Sequence, residues 1–293
     1  MNSRFTFDAI GTSWEIDTAV PLGAEVRRQL IDLVERFDRV YSRFRCDSIV
    51  TRIAKAPHGG MFDFPNDAVP MFDLYDRLHE VTEGAIDPLV GRDLERLGYD
   101  AGYTLIPKKN AMASTAKRRP VWHWDVSRLG RTVTTQEPLV IDIGAVGKGR
   151  LVDLVADLLM FEGIEEFIVD AGGDMYHRGS TILDVGLEHP LDAGMVIGTA
   201  RLSNASLCAS ASNRRRWGDE LHHVIDGRTG RPTMNVIATW AIADDTATAD
   251  GLATALFFDS PTPLMATFDF SFVRMFADGR VEVSDNFGGE VFT

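Results

Sequence analysis

The stretch Ile141-Asp142-Ile143-Gly144-Ala145-Val146-Gly147-Lys148-Gly149 decides how this chain is read. The apolar run Leu139 to Ile143 reads as a buried strand. Glycines and a lysine follow it. From Gly149 to Phe161, Leu151, Val152, Leu154, Val155, Leu158 and Leu159 recur at helical spacing. A strand that turns through glycines into a helix aims backbone N–H groups and the helix dipole at an anion, typically phosphate. The glycines let a ligand approach the backbone, and Lys148 adds a positive charge. The spacing is neither a Walker A loop nor Gly-x-Gly-x-x-Gly, so the stretch alone is equally a tight strand-to-helix connection.

Outward from that turn, strands and helices mix without strict alternation. That places the chain in the α+β (mixed α/β) class. Phe5 to Asp17 alternates and reads as a strand with a backbone irregularity at Gly11-Thr12. Pro21 to Phe44 is a strong helix, with Val26, Leu30, Leu33, Val34, Phe37, Val40, Tyr41 and Phe44 at three- and four-residue steps. Asp47-Ser48 offers a cap for a short helix through Ile53, and Asn66 to Thr82 reads as a further helix. Arg131–Thr135, Phe167–Asp170, Val185–Leu187, Gly194–Leu202 and Val236–Ala243 read as strands, Ala247–Phe258 as a helix, and Phe272–Val283 as a hairpin turning at Asp278-Gly279. Between them, 99–131 is weakly patterned and locally basic. It reads as an irregular insertion anchored by Trp122 and Trp124.

The 293 residues, 45% hydrophobic and 25% charged, exclude a disordered or collagen-like chain. Lys plus Arg number 30 against 43 for Asp plus Glu, a net charge of -13. Broad nucleic-acid binding needs the opposite balance. Cys46 and Cys208 are too few to staple a chain of this length and read as buried thiols of a reducing compartment. The first residues carry no apolar signal core, and no stretch approaches the ~18 apolar residues of a membrane span. The expectation is a cytoplasmic protein with no membrane anchor.

Three further segments carry polar groups at informative positions. Val169-Asp170-Ala171-Gly172-Gly173-Asp174 suits a ligand rim at a strand end, or a glycine-allowed turn with a solvated Asp. In His222-His223-Val224-Ile225-Asp226-Gly227-Arg228-Thr229-Gly230, His223 is a candidate general base, although the segment is also readable as a bare turn. No zinc spacing accompanies it. In Ala249-Asp250-Gly251-Leu252-Ala253-Thr254, the carboxylate and the hydroxyl lie four apart on one helix face. They suit a hard cation such as Mg²⁺, or only a helix-start Asp with a packed Thr.

In this order the segments resemble the flavin transferases of the ApbE family, FAD:protein FMN transferases. Ala9-Ile10-Gly11-Thr12-Ser13-Trp14 is similar to the opening Met-Gly-Thr strand. Tyr41 to Ser48 is similar to Ser-x-Tyr-Arg-x-Asp-Ser, and Thr82 to Gly91 to Thr-x-Gly-Ala-Phe-Asp-Pro-Thr-Val-Gly. Asp142–Gly149, Asp170–Asp174, His223–Gly230 and Asp250–Leu256 complete the likeness. The resemblance implies one flavin transferase domain over 1–293, with room for two lobes, that moves the FMN half of FAD onto a Ser or Thr of an acceptor flavoprotein and releases AMP. It implies an acceptor motif like Asp-x-x-[Ser/Thr]-Gly-Ala-[Ser/Thr]. It also implies Mg²⁺ or Mn²⁺ on the Ala145 carbonyl, Asp250 and Thr254. Contacts to FAD fall on Ile10, Phe44, Ala85, Ile86, Asp87, Asp142, Lys148 and Ile225, and His223 is the base or orients the acceptor.

This chain departs from the pattern at Ile10 for Met, at Phe44 for Tyr, and at Gly227 for Pro, the last expected to loosen its turn. Ser210 to Arg215 also departs, which leaves acceptor choice open. Two other readings use the same residues: an FAD pyrophosphatase giving FMN and AMP, and a flavin-binding protein without turnover.

Overall fold

A computed structural model of the chain describes residues 1–109, 111, 118–213, 215–218, 221–258 and 260–292. The backbone divides into two compact units, Met1–Glu35 with Val146–Asn213 and Met234–Thr293, and Arg36–Ala145 with Arg214–Thr233. Both strands and helices are present, as expected.

The first unit is built on an eight-stranded antiparallel sheet. Its order is Ser3–Ala9, Thr12–Thr18, Phe167–Asp170, Asp174–Arg178, Ala205–Ala211, Val236–Ala243, Ser271–Phe276, Val281–Val283. Phe5 to Asp17 is therefore a hairpin and not one irregular strand. Ile10 and Gly11 have φ of 43° and 79°, the positive pair that a two-residue turn matching the strand twist requires. The alternation runs through the turn because Phe7 pairs with Trp14 and Phe5 with Ile16.

Alternation sorts the two faces of this sheet. Leu207, Ala238, Trp240, Val273 and Met275 pack with Leu187, Ile197, Ala200 and Leu202 of a second sheet, formed by Leu183–His189, Asp192–Leu202 and Glu290–Val291. Ser206, Cys208 and Thr239 point the other way, onto the helix Thr246–Ala255. Ser206 Oγ meets Thr246 Oγ1 at 2.8 Å and Thr239 Oγ1 donates to the Ala253 carbonyl at 2.6 Å. The helix Gly147–Phe161 packs beside it, and Asp153 accepts from the Thr246 and Ala247 amides. Asp174–Arg178 and Ala205–Ala211, central in the sheet, were not legible as strands because Ser, His, Tyr and Asp interrupt their apolar positions.

The second unit holds the helices Ile49–Ala54, Ala68–Val81 and Gly91–Arg96 and a sheet ordered Gly60–Asp63, Thr132–Thr135, Val126–Leu129. Ser48 caps the first helix, accepting from the Thr51 amide, as its sequence predicts. Tyr41, Phe64, Phe72 and Trp122 form a chain of ring contacts through its core.

Two expectations change here. Leu139, Val140 and Ile141 are buried, but Leu139 to Ile143 is not a strand: the Asp142 amide bonds the Pro88 carbonyl at 2.7 Å, and among the described residues the stretch joins no ladder. The 99–131 segment is less loose than its composition suggests. Trp122–Asp125 forms a helical turn that runs into the strand Val126–Leu129, while Arg119 pairs with Asp93 at 2.7 Å. Trp122 is buried, but Trp124 is 81% exposed and anchors nothing. Residues 110 and 112–117 of the expected insertion lie outside the described residues. Among the described residues, no helix is long and apolar enough to cross a membrane.

Candidate functional site

In the first unit the decisive feature is a seam between two helices. Gly149, in the first turn of Gly147–Phe161, donates its amide to Asp250 Oδ2 at 2.9 Å. A Cβ on Gly149 would collide with the Thr246 carbonyl and stand 2.7 Å from Asp250 Cβ. Only glycine permits this approach. Lys148 ion-pairs with Asp174 Oδ2, and Asp174, fully buried, is within hydrogen-bond reach of Asp250. Burial and then Asp174 push the Asp250 carboxyl well above the usual carboxylate range. Burial works against the Lys148 charge, but Asp174 and Asp250 outweigh it and hold its ammonium protonated beyond the ordinary lysine range. Two buried carboxylates thus share one lysine, which leaves a deficit of positive charge.

Thr254 lies one helical turn beyond Asp250 on Thr246–Ala255. The donors offered here are oxygens, the ligand type of Mg²⁺ and Mn²⁺ and not of thiolate-seeking metals. Among the described residues no cluster of three or more His, Cys, Asp or Glu is placed to cage an ion. The residues fit a cation that draws its remaining ligands from backbone, water and substrate.

The second unit carries the opposite balance. Asp142 accepts from Arg43 Nε at 2.5 Å and from the Gly144 amide at 2.7 Å. Burial alone would raise its pKa; the Arg43 charge and hydrogen bond hold it below the carboxylate norm. Arg215 adds a second cation and donates to the Tyr99 hydroxyl at 3.1 Å. His223 feels both its burial and Arg215, which push it down to about 3, so the imidazole is neutral at pH 7. Its Nδ1 is buried without a hydrogen-bond partner among the described residues.

Phe44 and Ile225 join one apolar cluster with Leu94, Leu97, Tyr99 and Trp217. Tyr103 stacks on the Phe44 ring at 4.9 Å and 12°. The unit therefore gathers Phe44, Asp142, His223 and Ile225, four of the residues singled out from sequence. Ala85 and Ile86 are buried nearby in the chain, with the Ala85 carbonyl accepting from the Gly227 amide at 2.8 Å.

Several sequence expectations meet a different environment. Asp87 spends its carboxylate on its own fold. It accepts from the Leu89 amide at 2.8 Å and the Trp122 amide at 3.0 Å, with His79 Nε2 at 3.3 Å. Two amides of the glycine turn, those of Gly144 and Gly149, are likewise taken by Asp142 and Asp250. The amides of Gly147 and Lys148, which open the helix, have no intrahelical acceptor. Gly227 does not loosen its turn. Its amide is tied to Ala85, and a Cβ would collide with the Gly84 carbonyl and come within 2.8 Å of Asp87 Cβ. Ile10 belongs to the first unit, at a left-handed φ that a β-branched residue adopts only under strain.

Sequence reasoning gave Arg43 no role, offered Asp174 only as one of two readings of its glycine turn, and met Arg215 only within the stretch that departs from the family pattern. Asp174 was read at the end of a turn, where an exposed Asp is ordinary. Its pairing with Cys208 in the sheet buries it. Nothing in the order of residues around Arg43 signals a partner 99 positions away.

The ApbE family model matches residues 10–271. The chain belongs to the ApbE family. A curated relative from Vibrio cholerae, named FAD:protein FMN transferase, is 28% identical over 236 residues, 76% of this chain and 70% of the relative. One of the same name from Klebsiella pneumoniae is 28% identical over 86% of this chain and 77% of its own length. The fold of the ApbE protein from Thermotoga maritima matches with a TM-score of 0.84 at 23% identity, covering 98% of this chain and 99% of that one. A histidine-to-glycine variant of the flavin transferase ApbE from Vibrio cholerae matches at 0.80 and 23%, over 97% of both chains. The α+β fold and the enzyme family inferred from the ordered segments both stand on these matches.

Proposed function

We propose that this chain transfers the FMN half of FAD to a Ser or Thr hydroxyl of an acceptor flavoprotein carrying an Asp-x-x-[Ser/Thr]-Gly-Ala-[Ser/Thr]-like motif, and releases AMP. The observation that carries the reading is the buried Lys148–Asp174–Asp250 cluster, whose carboxylates outnumber its cation. On this reading Asp250, Thr254 and the Ala145 carbonyl hold Mg²⁺ or Mn²⁺. That ion, when bound, neutralises diphosphate oxygens and eases departure of the AMP phosphate.

The acceptor oxygen forms a bond to the FMN phosphorus as its hydroxyl proton passes to water or the departing phosphate, the bridging P–O bond breaks, and AMP leaves with that bond's electron pair. Lys148 and the free amides at the helix start face the phosphate oxygens. Asp174 keeps the Lys148 ammonium protonated and anchored. His223, neutral at pH 7, accepts the hydrogen bond of the acceptor hydroxyl. With its own pKa near 3 it orients that hydroxyl more than it stores its proton. Phe44, Ile225, Ala85 and Ile86 supply apolar surface for the flavin ring. Asp87 fixes the loop that bears Ala85 and Ile86. The same reading takes 1–293 as one transferase domain with an insertion at 99–131.

The test incubates the protein with FAD, Mg²⁺ and candidate flavoproteins carrying that motif, followed by mass spectrometry. Expected is one added FMN on a Ser or Thr of the acceptor, with slow AMP release when no acceptor is present. Rapid AMP release without acceptor establishes hydrolysis instead. Bound FAD with neither product establishes storage.

A further inference from the structure

Arg43 stands at the position that the Ser-x-Tyr-Arg-x-Asp-Ser pattern leaves open, directly before Phe44. Its side chain is 4% exposed. Nε is spent on Asp142 at 2.5 Å, and Cζ lies 4.2 Å from the Phe44 ring centre and 5.0 Å from that of Tyr99. Nη1 and Nη2 are buried and have no hydrogen-bond partner among the described residues. A buried donor without an acceptor carries an uncompensated desolvation penalty, larger when the group is charged. The unit thus fixes two unsatisfied donors against an aromatic face. Charge points the same way. Arg43 and Arg215 surround the single carboxylate of Asp142, and His223 beside them is neutral.

An acceptor for such a fork is flat, apolar on its faces and rich in oxygen or nitrogen acceptors along one edge. The pyrimidine end of a flavin ring has that form. A phosphate has the acceptors but gains nothing from the rings. Phe44 also lacks the hydroxyl that tyrosine brings to this position in the family pattern, so the ring residue itself offers no donor. Tyr103, stacked on Phe44, is 51% exposed and has φ of 47°. Of the rings closing over Phe44 and Arg43 it is the one least held by burial.

Resting on the flavin transferase reading, we propose that Arg43 is a specificity-determining residue for the flavin ring. Its Nη1 and Nη2 donate to the acceptor edge of the pyrimidine end while the ring lies against Phe44. Riboflavin, which has the ring without the diphosphate, and ADP, which has the diphosphate without the flavin, separate ring from phosphate recognition. Both are titrated into the full chain and into Arg43→Met and Arg43→Lys by calorimetry, with absorption spectra of bound riboflavin. Lysine keeps a charge beside Asp142 and loses the fork, so it decides the question if the methionine variant fails to fold.

Expected is riboflavin affinity lower by about 10- to 100-fold in R43M and by about tenfold in R43K, with ADP affinity unchanged and the bound-flavin band displaced. Unchanged riboflavin affinity in both variants overturns the role of Arg43 alone, as does an equal loss of ADP affinity. A wild-type protein that binds neither riboflavin nor FAD overturns the flavin transferase reading, and this inference with it.

Discussion

The two units bury charge in opposite surplus. In the first, Asp174 and Asp250 share Lys148; in the second, Arg43 and Arg215 share Asp142. Each arrangement is costly alone, because taking a charge out of water costs on the order of several kcal/mol unless it is fully paired. The difference shows what each seeks. A carboxylate surplus built from oxygen donors calls for a cation. A guanidinium surplus lined by Phe44, Tyr99 and Tyr103 calls for a flat group with acceptors. On the proposed reading, Mg²⁺ answers the first and a flavin ring the second.

The largest effect is expected at Asp250. Asp250→Asn keeps an oxygen for the Gly149 amide and removes the charge. FMN transfer to an acceptor should fall by about 10³-fold or more, while the urea midpoint holds or rises because the neutral amide replaces a carboxyl that burial already disfavours as an anion. A variant with transfer intact would remove the cation from the account of the first unit.

Gly227→Pro should come next. It deletes the amide that bonds Ala85 and places a ring where even a Cβ collides. The expected loss is about 3 kcal/mol in denaturant unfolding. An unaffected midpoint would mean that this turn does not hold the residues around His223.

Gly149→Ala strikes the seam of the first unit. Its Cβ drives against the Thr246 carbonyl and Asp250, and a loss of about 1–3 kcal/mol is expected together with weaker Mg²⁺ binding. Loss of stability with Mg²⁺ binding unchanged would separate the seam from the cation.

At pH 7 the smallest effect belongs to His223, and it grows only as pH falls. His223 has a folded pKa of about 3, below its unfolded value of about 6.5. Above pH 6.5 it is neutral in both states and costs nothing. As pH falls below 6.5 the unfolded chain takes up the proton first, so stability falls by up to about 1.4 kcal/mol per pH unit until pH reaches about 3. His223→Asn should flatten the unfolding free energy between pH 6.5 and 4.5 relative to wild type. Parallel slopes would place His223 in a solvated setting and weaken the contrast between the units.

Much of this was legible in residue order. The helices Ala24–Tyr41 and Gly147–Phe161 follow from apolar spacing, and the Ser48 cap and the Asp278-Gly279 hairpin from local chemistry. Asp250 and Thr254 were visible as one helix face. What escaped depends on contacts far apart in sequence. Asp174 acquires its meaning from Lys148 and from a strand pair with Cys208, and Arg43 from Asp142. The hairpin at Ile10-Gly11 was hidden because a two-residue turn preserves the alternation of both strands. Leu139 to Ile143 has strand composition, but among the described residues it joins no ladder.

The central claim is that a divalent cation at Asp250 and the diphosphate of FAD bind together. Calorimetric titration of FAD with and without Mg²⁺, in wild type and Asp250→Asn, tests it directly. The account predicts that Mg²⁺ tightens FAD binding in wild type and that D250N loses this gain while still binding riboflavin. FAD binding indifferent to Mg²⁺ in wild type, or an undiminished gain in D250N, would contradict it.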